Sequence, residues 1–122
     1  MKKLGAFIVT FVLLLAPSAA NAASRVWIAE FGTLGTTAST VPAQIASLPS
    51  IAIQSTLDIS GGVQTSAAFN GGTKFIRIIC EVQCAVRGDG TTATTSSVLL
   101  PALSAEYFGV QAGATVSVIA AP

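Results

Sequence analysis

The segment FIRIICEVQCAVRG, residues 75–88, is the stretch of this 122-residue chain whose pattern decides the fold. Its first half has the strongest β-strand composition of the sequence, and alternation places every second residue from Ile76 to Cys80 on one face of an extended strand. In one continuous strand the Cα atoms of Cys80 and Cys84 would lie roughly 13 Å apart, too far for a disulfide. A turn at residues 81–83 would bring the two cysteines face to face, so the pattern predicts a tight β-hairpin.

The two cysteines have two expected states, which depend on the compartment of the protein. If the chain is exported, a Cys80–Cys84 disulfide is favoured, whereas in a cytoplasm both are expected to remain free thiols. A metal site is not predicted, because two thiolates without a histidine or a second cysteine pair cannot complete a tetrahedral zinc site.

Catalytic chemistry has little support in the residue content of the chain. The sequence contains no histidine, which removes the commonest general base and triad member. Its five acidic residues are scattered, and each is interpreted as a solvated residue of a loop or a strand edge. We therefore predict no enzyme activity, no catalytic residue, no cofactor and no small-molecule substrate.

Residues 1–22 have the features of a secretory signal peptide. Two lysines precede an apolar run at residues 4–16, and a small-x-small motif ends at Ala22, which predicts cleavage between Ala22 and Ala23. As a helix the apolar run would span about 20 Å, short of the hydrocarbon core of about 30 Å. Membrane association is therefore expected only through an uncleaved leader.

Residues 23–122 are predicted to form a single all-β domain. Turn signals recur about every ten residues there, a spacing typical of β-sandwiches and small barrels. Residues 51–59 alternate as a strand, residues 91–97 (TTATTSS) suggest an exposed loop or flat edge, and residues 106–120 suggest a final hairpin. We predict a small antiparallel β-sandwich or jelly-roll-like barrel, preceded by the hydrophobic leader as a helix.

Composition favours packing against a protein partner. Hydrophobic residues make up 52% of the chain and charged residues only 9%, so the surface has few charges to keep it apart from neighbours. After residue 22 there remain four basic and five acidic residues, a net charge of −1, and no basic patch for nucleic acid. The expected partner is a second copy of the chain or another protein.

Two short features have plain structural interpretations. Arg87-Gly88-Asp89 spells a known cell-adhesion tripeptide, but it is interpreted as an ordinary glycine-containing turn. The aromatic residues are interpreted as core or interface rather than as a ligand cage. They are Trp27, Phe31, Phe69, Phe75, Tyr107 and Phe108.

Several short segments carry a resemblance to a class of structural proteins. They are residues 25–31 (RVWIAEF), 66–69 (SAAF), 73–77 (TKFIR), 91–95 (TTATT), 106–110 (EYFGV), Gly113 and 116–120 (VSVIA). In this order they resemble the small β-rich decoration, or cement, proteins found beside capsid genes in tailed bacteriophages. The resemblance implies a sandwich or jelly-roll-like virion protein that binds a capsid shell and has no catalytic residues. The leader favours the alternative, an exported surface, pilus-like or periplasmic β-domain.

Overall fold

The computed structural model describes residues 23–36 and 42–122, and in these ranges the chain is all-β, with eleven strands and no helix. The strands are β1 (Arg25–Phe31), β2 (Leu34–Thr36), β3 (Pro42–Ala46), β4 (Ala52–Ile53), β5 (Leu57–Asp58), β6 (Gln64–Thr65), β7 (Phe75–Cys80), β8 (Cys84–Arg87), β9 (Val98–Leu100), β10 (Ala105–Gly109) and β11 (Ser117–Ala120). The leader helix and Ala22 of the expected cleavage site lie outside the described residues. A membrane-crossing helix, which must be both long and apolar, does not occur in the described ranges.

The strands form three antiparallel sheets. The first sheet has the order β10-β7-β1-β4, and β5 pairs with β1 on the same edge as β4. The second sheet has the order β6-β11-β8-β9, and β2 and β3 pair separately. The all-β prediction is therefore confirmed, and each of the two larger sheets is built from strands that are distant in the sequence.

The prediction of a hairpin at residues 75–88 is wrong. β7 lies between β1 and β10 in the first sheet, whereas β8 lies between β11 and β9 in the second. The turn at residues 81–83 carries the chain from one sheet to the other, and a disulfide joins Cys80 to Cys84, with their Cα atoms 6.3 Å apart. Spacing predicted the proximity of the cysteines but not the pairing, because a hairpin and a crossing between sheets both require the chain to turn between them.

Two other sequence-based assignments also need correction. β10 pairs with β7 and β11 pairs with β8 and β6, so the last two strands form no hairpin but again lie in different sheets. The alternating run at residues 51–59 is interrupted after Ile53 and resumes at Leu57, so it forms two short strands on one edge of β1. Residues 91–97 form no strand, as the loop interpretation predicted.

Both larger sheets contribute to one hydrophobic cluster. From the first sheet it includes Val26 and Ile28 of β1 and, as the alternation predicted, Ile76, Ile78 and Cys80 of β7; from the second it includes Cys84, Val86, Leu100 and Val118. Ile59, Phe69 and Val116 come from the connecting segments. Each fully buried side chain of this size stabilises the fold by about 1.5–3 kcal/mol relative to an exposed one.

Candidate interaction surface

The register of the first sheet assigns the residues of its strands to two faces, because cross-strand partners point the same way. On β1, Val26, Ile28 and Glu30 are buried toward the other sheet, so the residues between them belong to the opposite side, which we call the outer face. The outer face comprises Arg25, Trp27, Ala29 and Phe31 of β1, Ile53 of β4, Asp58 of β5, Phe75, Arg77 and Ile79 of β7, and Ala105, Tyr107 and Gly109 of β10.

Arg77 is the charged residue at the centre of this face. It lies between Ala29 of β1 and Tyr107 of β10 in the cross-strand register. The other two charged residues, Arg25 of β1 and Asp58 of β5, lie opposite each other at one end of the face. Charges of opposite sign in directly opposed positions offset each other, and Arg25 has such a partner in Asp58. Arg77 has no acidic partner in the register, because its neighbours are Ala29 and Tyr107.

Large apolar side chains of the outer face are exposed to solvent. Tyr107 is 52% exposed, Ile53 77% and Trp27 37%, although all three lie on regular strands. Contiguous apolar surface rimmed by polar residues is typical of sites where a soluble protein contacts a partner. The aromatic residues therefore fall into two groups, because Phe31 and Phe69 are buried whereas Trp27 and Tyr107 are exposed to solvent.

Three aromatic rings stiffen one half of the outer face. The rings of Phe31 and Phe75 are stacked with their centroids 5.4 Å apart, and the ring of Tyr107 lies tilted at 6.4 Å from that of Phe75. Such contacts stabilise by roughly 0.5–1.5 kcal/mol per pair beyond the burial of area. Tyr107 is therefore held in place by Phe75 although half of its own surface is exposed.

A hollow of about 540 Å³ lies where the β2–β3 pair meets the outer face. Leu34 and Ile45 line it from the β2–β3 side, Phe75 and Tyr107 from the sheet, and Lys74 also borders it. Leu34 and Ile45 are themselves 44% and 63% exposed. The outer face thus ends in an apolar depression with a cation beside it, a shape able to receive a side chain of a docked protein.

A larger groove, about 1480 Å³, opens between the two sheets at the side of β9 and β10. Its apolar lining includes Ile76 and Phe108 of the first sheet and Val86 and Val98 of the second. The hydroxyl-rich loop at residues 94–97 borders it. Its charged border residues in the described ranges are Lys74, Arg87 and Asp89, and of these Arg87 and Asp89 bind each other.

The Arg87-Gly88-Asp89 turn is closed by its own charges. The Nε of Arg87 donates to both carboxylate oxygens of Asp89 at 3.0 and 2.9 Å, and an Nη lies 2.9 Å from Oδ2. Hydrogen bonds from the hydroxyl and amide of Thr91, and then from Arg87, lower the pKa of Asp89 to about 2. Both charged groups of the tripeptide are engaged with each other, which agrees with the turn interpretation.

Glu30 is a buried carboxylate, contrary to the expectation that every acidic residue is solvated. It is 1% exposed, and its oxygens accept hydrogen bonds from Gln54 Nε2 at 2.8 Å, from Asn70 N and Nδ2 at 2.9 Å each, and from Thr73 Oγ1 at 2.6 Å. Burial by itself raises the pKa of Glu30, but the hydrogen bonds from Thr73, Gln54 and Asn70 together outweigh burial and lower it. These donors come from two connecting segments, so Glu30 holds these segments against β1 while its carboxylate is shielded from solvent.

Within residues 23–36 and 42–122, no three histidine, cysteine, aspartate or glutamate side chains are grouped so that they could hold a metal ion. Comparisons with protein-family models, with curated proteins and with solved structures found no match.

Sequence reasoning missed the two most informative polar residues, Glu30 and Arg77. Alternation already placed Glu30 on the same side of β1 as Val26 and Ile28, which was a signal that the carboxylate would be buried. Arg77 alternates with Ile76 and Ile78 and was therefore expected on the opposite side of β7. Its position among exposed aromatic residues depends on the pairing of β7 with β10, which local pattern does not reveal.

Proposed function

We propose that this chain is a non-enzymatic structural protein that docks onto a larger protein assembly through the outer face of its first sheet. The observation that carries the proposal is the combination on one strand-built face of exposed Trp27, Ile53 and Tyr107 with a single central cation. Aromatic residues and arginine are enriched in protein interfaces, whereas lysine and the acidic residues are depleted there. Regular strands present these side chains without the ordering cost of a flexible loop.

The architecture we propose is a small two-layer β-sandwich or jelly-roll-like fold. Its support is the single cluster of buried side chains that the first and second sheets share. In such a fold the outer surface of each sheet is free to meet a neighbour, while the core supplies the rigidity. Assembly then proceeds by surface packing and needs no chemistry.

The assembly that we favour is the capsid of a tailed bacteriophage, to which the chain would bind as a decoration or minor capsid component of the virion. Support comes from the resemblance of its segments to decoration proteins and from an outer face suited to packing on another protein. In this setting the partner is a capsid protein, and neither nucleic acid nor a small molecule is bound.

A second candidate is an exported bacterial surface, pilus-like or periplasmic β-domain. Two observations favour it, namely the signal-like residues 1–22 and the disulfide between Cys80 and Cys84. Disulfides persist in exported proteins and are rare in a reducing cytoplasm, where phage capsids assemble. The outer face would then contact another surface or pilus subunit.

Mass spectrometry of purified virions and of culture supernatant separates the two candidates. The virion proposal predicts that the chain co-purifies with capsids through a density gradient, with its leader still present. The export candidate predicts that the chain is found outside capsids with Ala23 as its N-terminal residue. Recovery of the chain free of any particle or larger complex would contradict docking as its role.

A pair of matched substitutions tests the surface itself. Ile53→Asp places a charge on the outer face, and Leu99→Asp places one at a 53% exposed apolar position on β9 of the second sheet. Docking through the outer face predicts that Ile53→Asp lowers recovery on the assembly at least tenfold, whereas Leu99→Asp leaves recovery unchanged. Equal losses for both variants would show that the outer face is not the contact.

A further inference from the structure

Arg77 has a buried donor that nothing in the described part of the chain satisfies. Its Nε atom is shielded from solvent and makes no hydrogen bond, although the residue as a whole is only partly buried. Buried donors in native proteins nearly always have a partner, and a charged group left without one is especially costly. The guanidinium thus has no acceptor in the described part of the chain, and its Nη atoms, which are not shielded in this way, are the donors that an acceptor arriving from outside can reach.

The acidic residues of the chain do not supply this acceptor, since each of the five is engaged elsewhere. Glu30 is held by Gln54, Asn70 and Thr73; Asp58 accepts from Ser60; Glu81 accepts from the Arg25 amide; Asp89 binds Arg87; and Glu106 accepts from Ser104. Glu30 and Glu106 also point to the other side of the sheet, because their cross-strand partners Ile76 and Ile78 belong to the buried row of β7.

We infer that Arg77 is the anchor of the docking surface and that the partner is a protein presenting an aspartate or glutamate carboxylate to it. A guanidinium binds a carboxylate through two parallel hydrogen bonds, which in Arg77 would come from the two Nη atoms. Trp27 and Ile79 lie in one neighbouring cross-strand row, and Tyr107 lies directly opposite Arg77. A docked surface that covers these apolar side chains excludes water from the ion pair. This inference rests on the proposed function, and it adds the chemistry of the partner.

Charge distribution distinguishes this partner from two others. Nucleic acid is bound by many cations that neutralise successive phosphates, whereas the outer face has Arg77 at its centre, with Arg25 and Lys74 at its margins. A symmetric second copy whose two-fold axis passes through the centre of the outer face would bring Arg77 toward Arg77 and bury two like charges together.

A small-molecule probe tests the carboxylate preference without the natural partner. Benzoate combines a carboxylate with an apolar ring, and benzamide is its neutral counterpart of nearly the same shape. We expect benzoate titration to shift the Arg77 Nε–Hε and Trp27 indole NMR resonances, with saturation at millimolar concentration, while benzamide leaves them in place. Absence of a benzoate shift, or an equal shift with benzamide, would overturn the inference.

Substitutions at Arg77 then test its use in docking. Arg77→Met keeps the length and apolar character of the side chain and removes the donors, so the variant is expected to fold; far-ultraviolet circular dichroism checks this. Arg77→Lys keeps the charge without the planar fork. We expect the affinity for the purified assembly to fall about thirty-fold or more in Arg77→Met, as for loss of one partner of a buried charge pair, and less in Arg77→Lys.

The matched control is Arg87→Met, which removes a cation that is exposed and outside the outer face. It is expected to leave the affinity unchanged.

If the wild-type chain docks and Arg77→Met docks equally well, the inference about Arg77 is wrong while the proposed function stands. If the wild-type chain fails to dock on any assembly, the proposed function is wrong, and the benzoate titration still decides whether Arg77 prefers a carboxylate. A wild-type dimer that is lost in Arg77→Met would also contradict the inference.

Discussion

The hydroxyl of Thr73 donates a hydrogen bond of 2.6 Å to the carboxylate of Glu30, although 43 residues separate them in the sequence. Thr73 is 1% exposed and precedes β7, while Glu30 lies on the neighbouring strand β1. Thr73→Val keeps the shape of the side chain and removes the donor. We expect the free energy of unfolding to fall by about 1.5–3 kcal/mol, the range for a hydrogen bond to a charged group. Denaturant unfolding measures the change, and the exposed substitution Thr92→Val serves as a control that should alter stability little.

The buried carboxylate of Glu30 is expected to make the protein sensitive to acid. Its pKa is lowered on folding from the ordinary value of 4.5, so its stabilising contribution is complete above pH 4.5 and is lost as the pH falls through the lower folded value. Glu30→Gln should be less stable at pH 7 by about 1–3 kcal/mol, because an amide cannot accept all four hydrogen bonds. Its stability should also fall less steeply below pH 4.5 than that of the wild type.

Unfolding curves at pH 7 and at several lower pH values check this difference. Asp58 and Asp89 also have lowered pKa values, but both are exposed and are present in both proteins, so the comparison isolates Glu30. Asp89→Asn is a suitable control, since it removes an exposed carboxylate. Parallel pH dependences for the wild type and Glu30→Gln would show that the network does not favour the charged form.

The disulfide between Cys80 and Cys84 should contribute modestly to stability. Its closed loop is short, and the loop-entropy relation gives about 2 kcal/mol for a cross-link of this length. We expect the double substitution of Cys80→Ala and Cys84→Ala to lower the free energy of unfolding by about that amount, with some further loss from the packing of two buried sulfurs. An intact mass about 2 Da below the reduced value confirms the bond, because two hydrogens are lost on its formation. Two free thiols in exported material would contradict it.

Leu103 occupies a backbone conformation that suits glycine. Its φ is 57°, and its side chain is 71% exposed, so little burial offsets the strain. The left-handed region costs a residue with a Cβ roughly 1–2 kcal/mol. Leu103→Gly should therefore raise the stability by about 0.5–1 kcal/mol after the greater freedom of glycine in the unfolded chain is included. Leu103→Ala keeps the Cβ and should not show this gain, and thermal or denaturant unfolding separates the two variants.

The sequence predicted which residues share a face of a strand, but it did not predict which strands pair. Alternation placed Ile76, Ile78 and Cys80 on one face of β7, because which side a residue faces depends on its immediate neighbours, and this face is the buried one. Whether β8 pairs with β7 depends on contacts with strands that are distant in the sequence, such as β11. The spacing of residues within 75–88 gives no information about those contacts. Low charge led to the expectation of a covered surface, and the register of β1, β7 and β10 defined the outer face that we propose for this role.

The bond between Cys80 and Cys84 joins the two larger sheets at one end only. At that end Val26 lies beside Cys80, whereas Phe31 and Phe75 mark the other end of the same strand pair. Thermal fluctuations that separate the two sheets should therefore be smaller near Cys84 and larger toward Arg87, which lines the open groove. Amide protons of β8 should accordingly exchange with solvent faster along the strand from its first residue to its last, and reduction of the bond should even out the gradient.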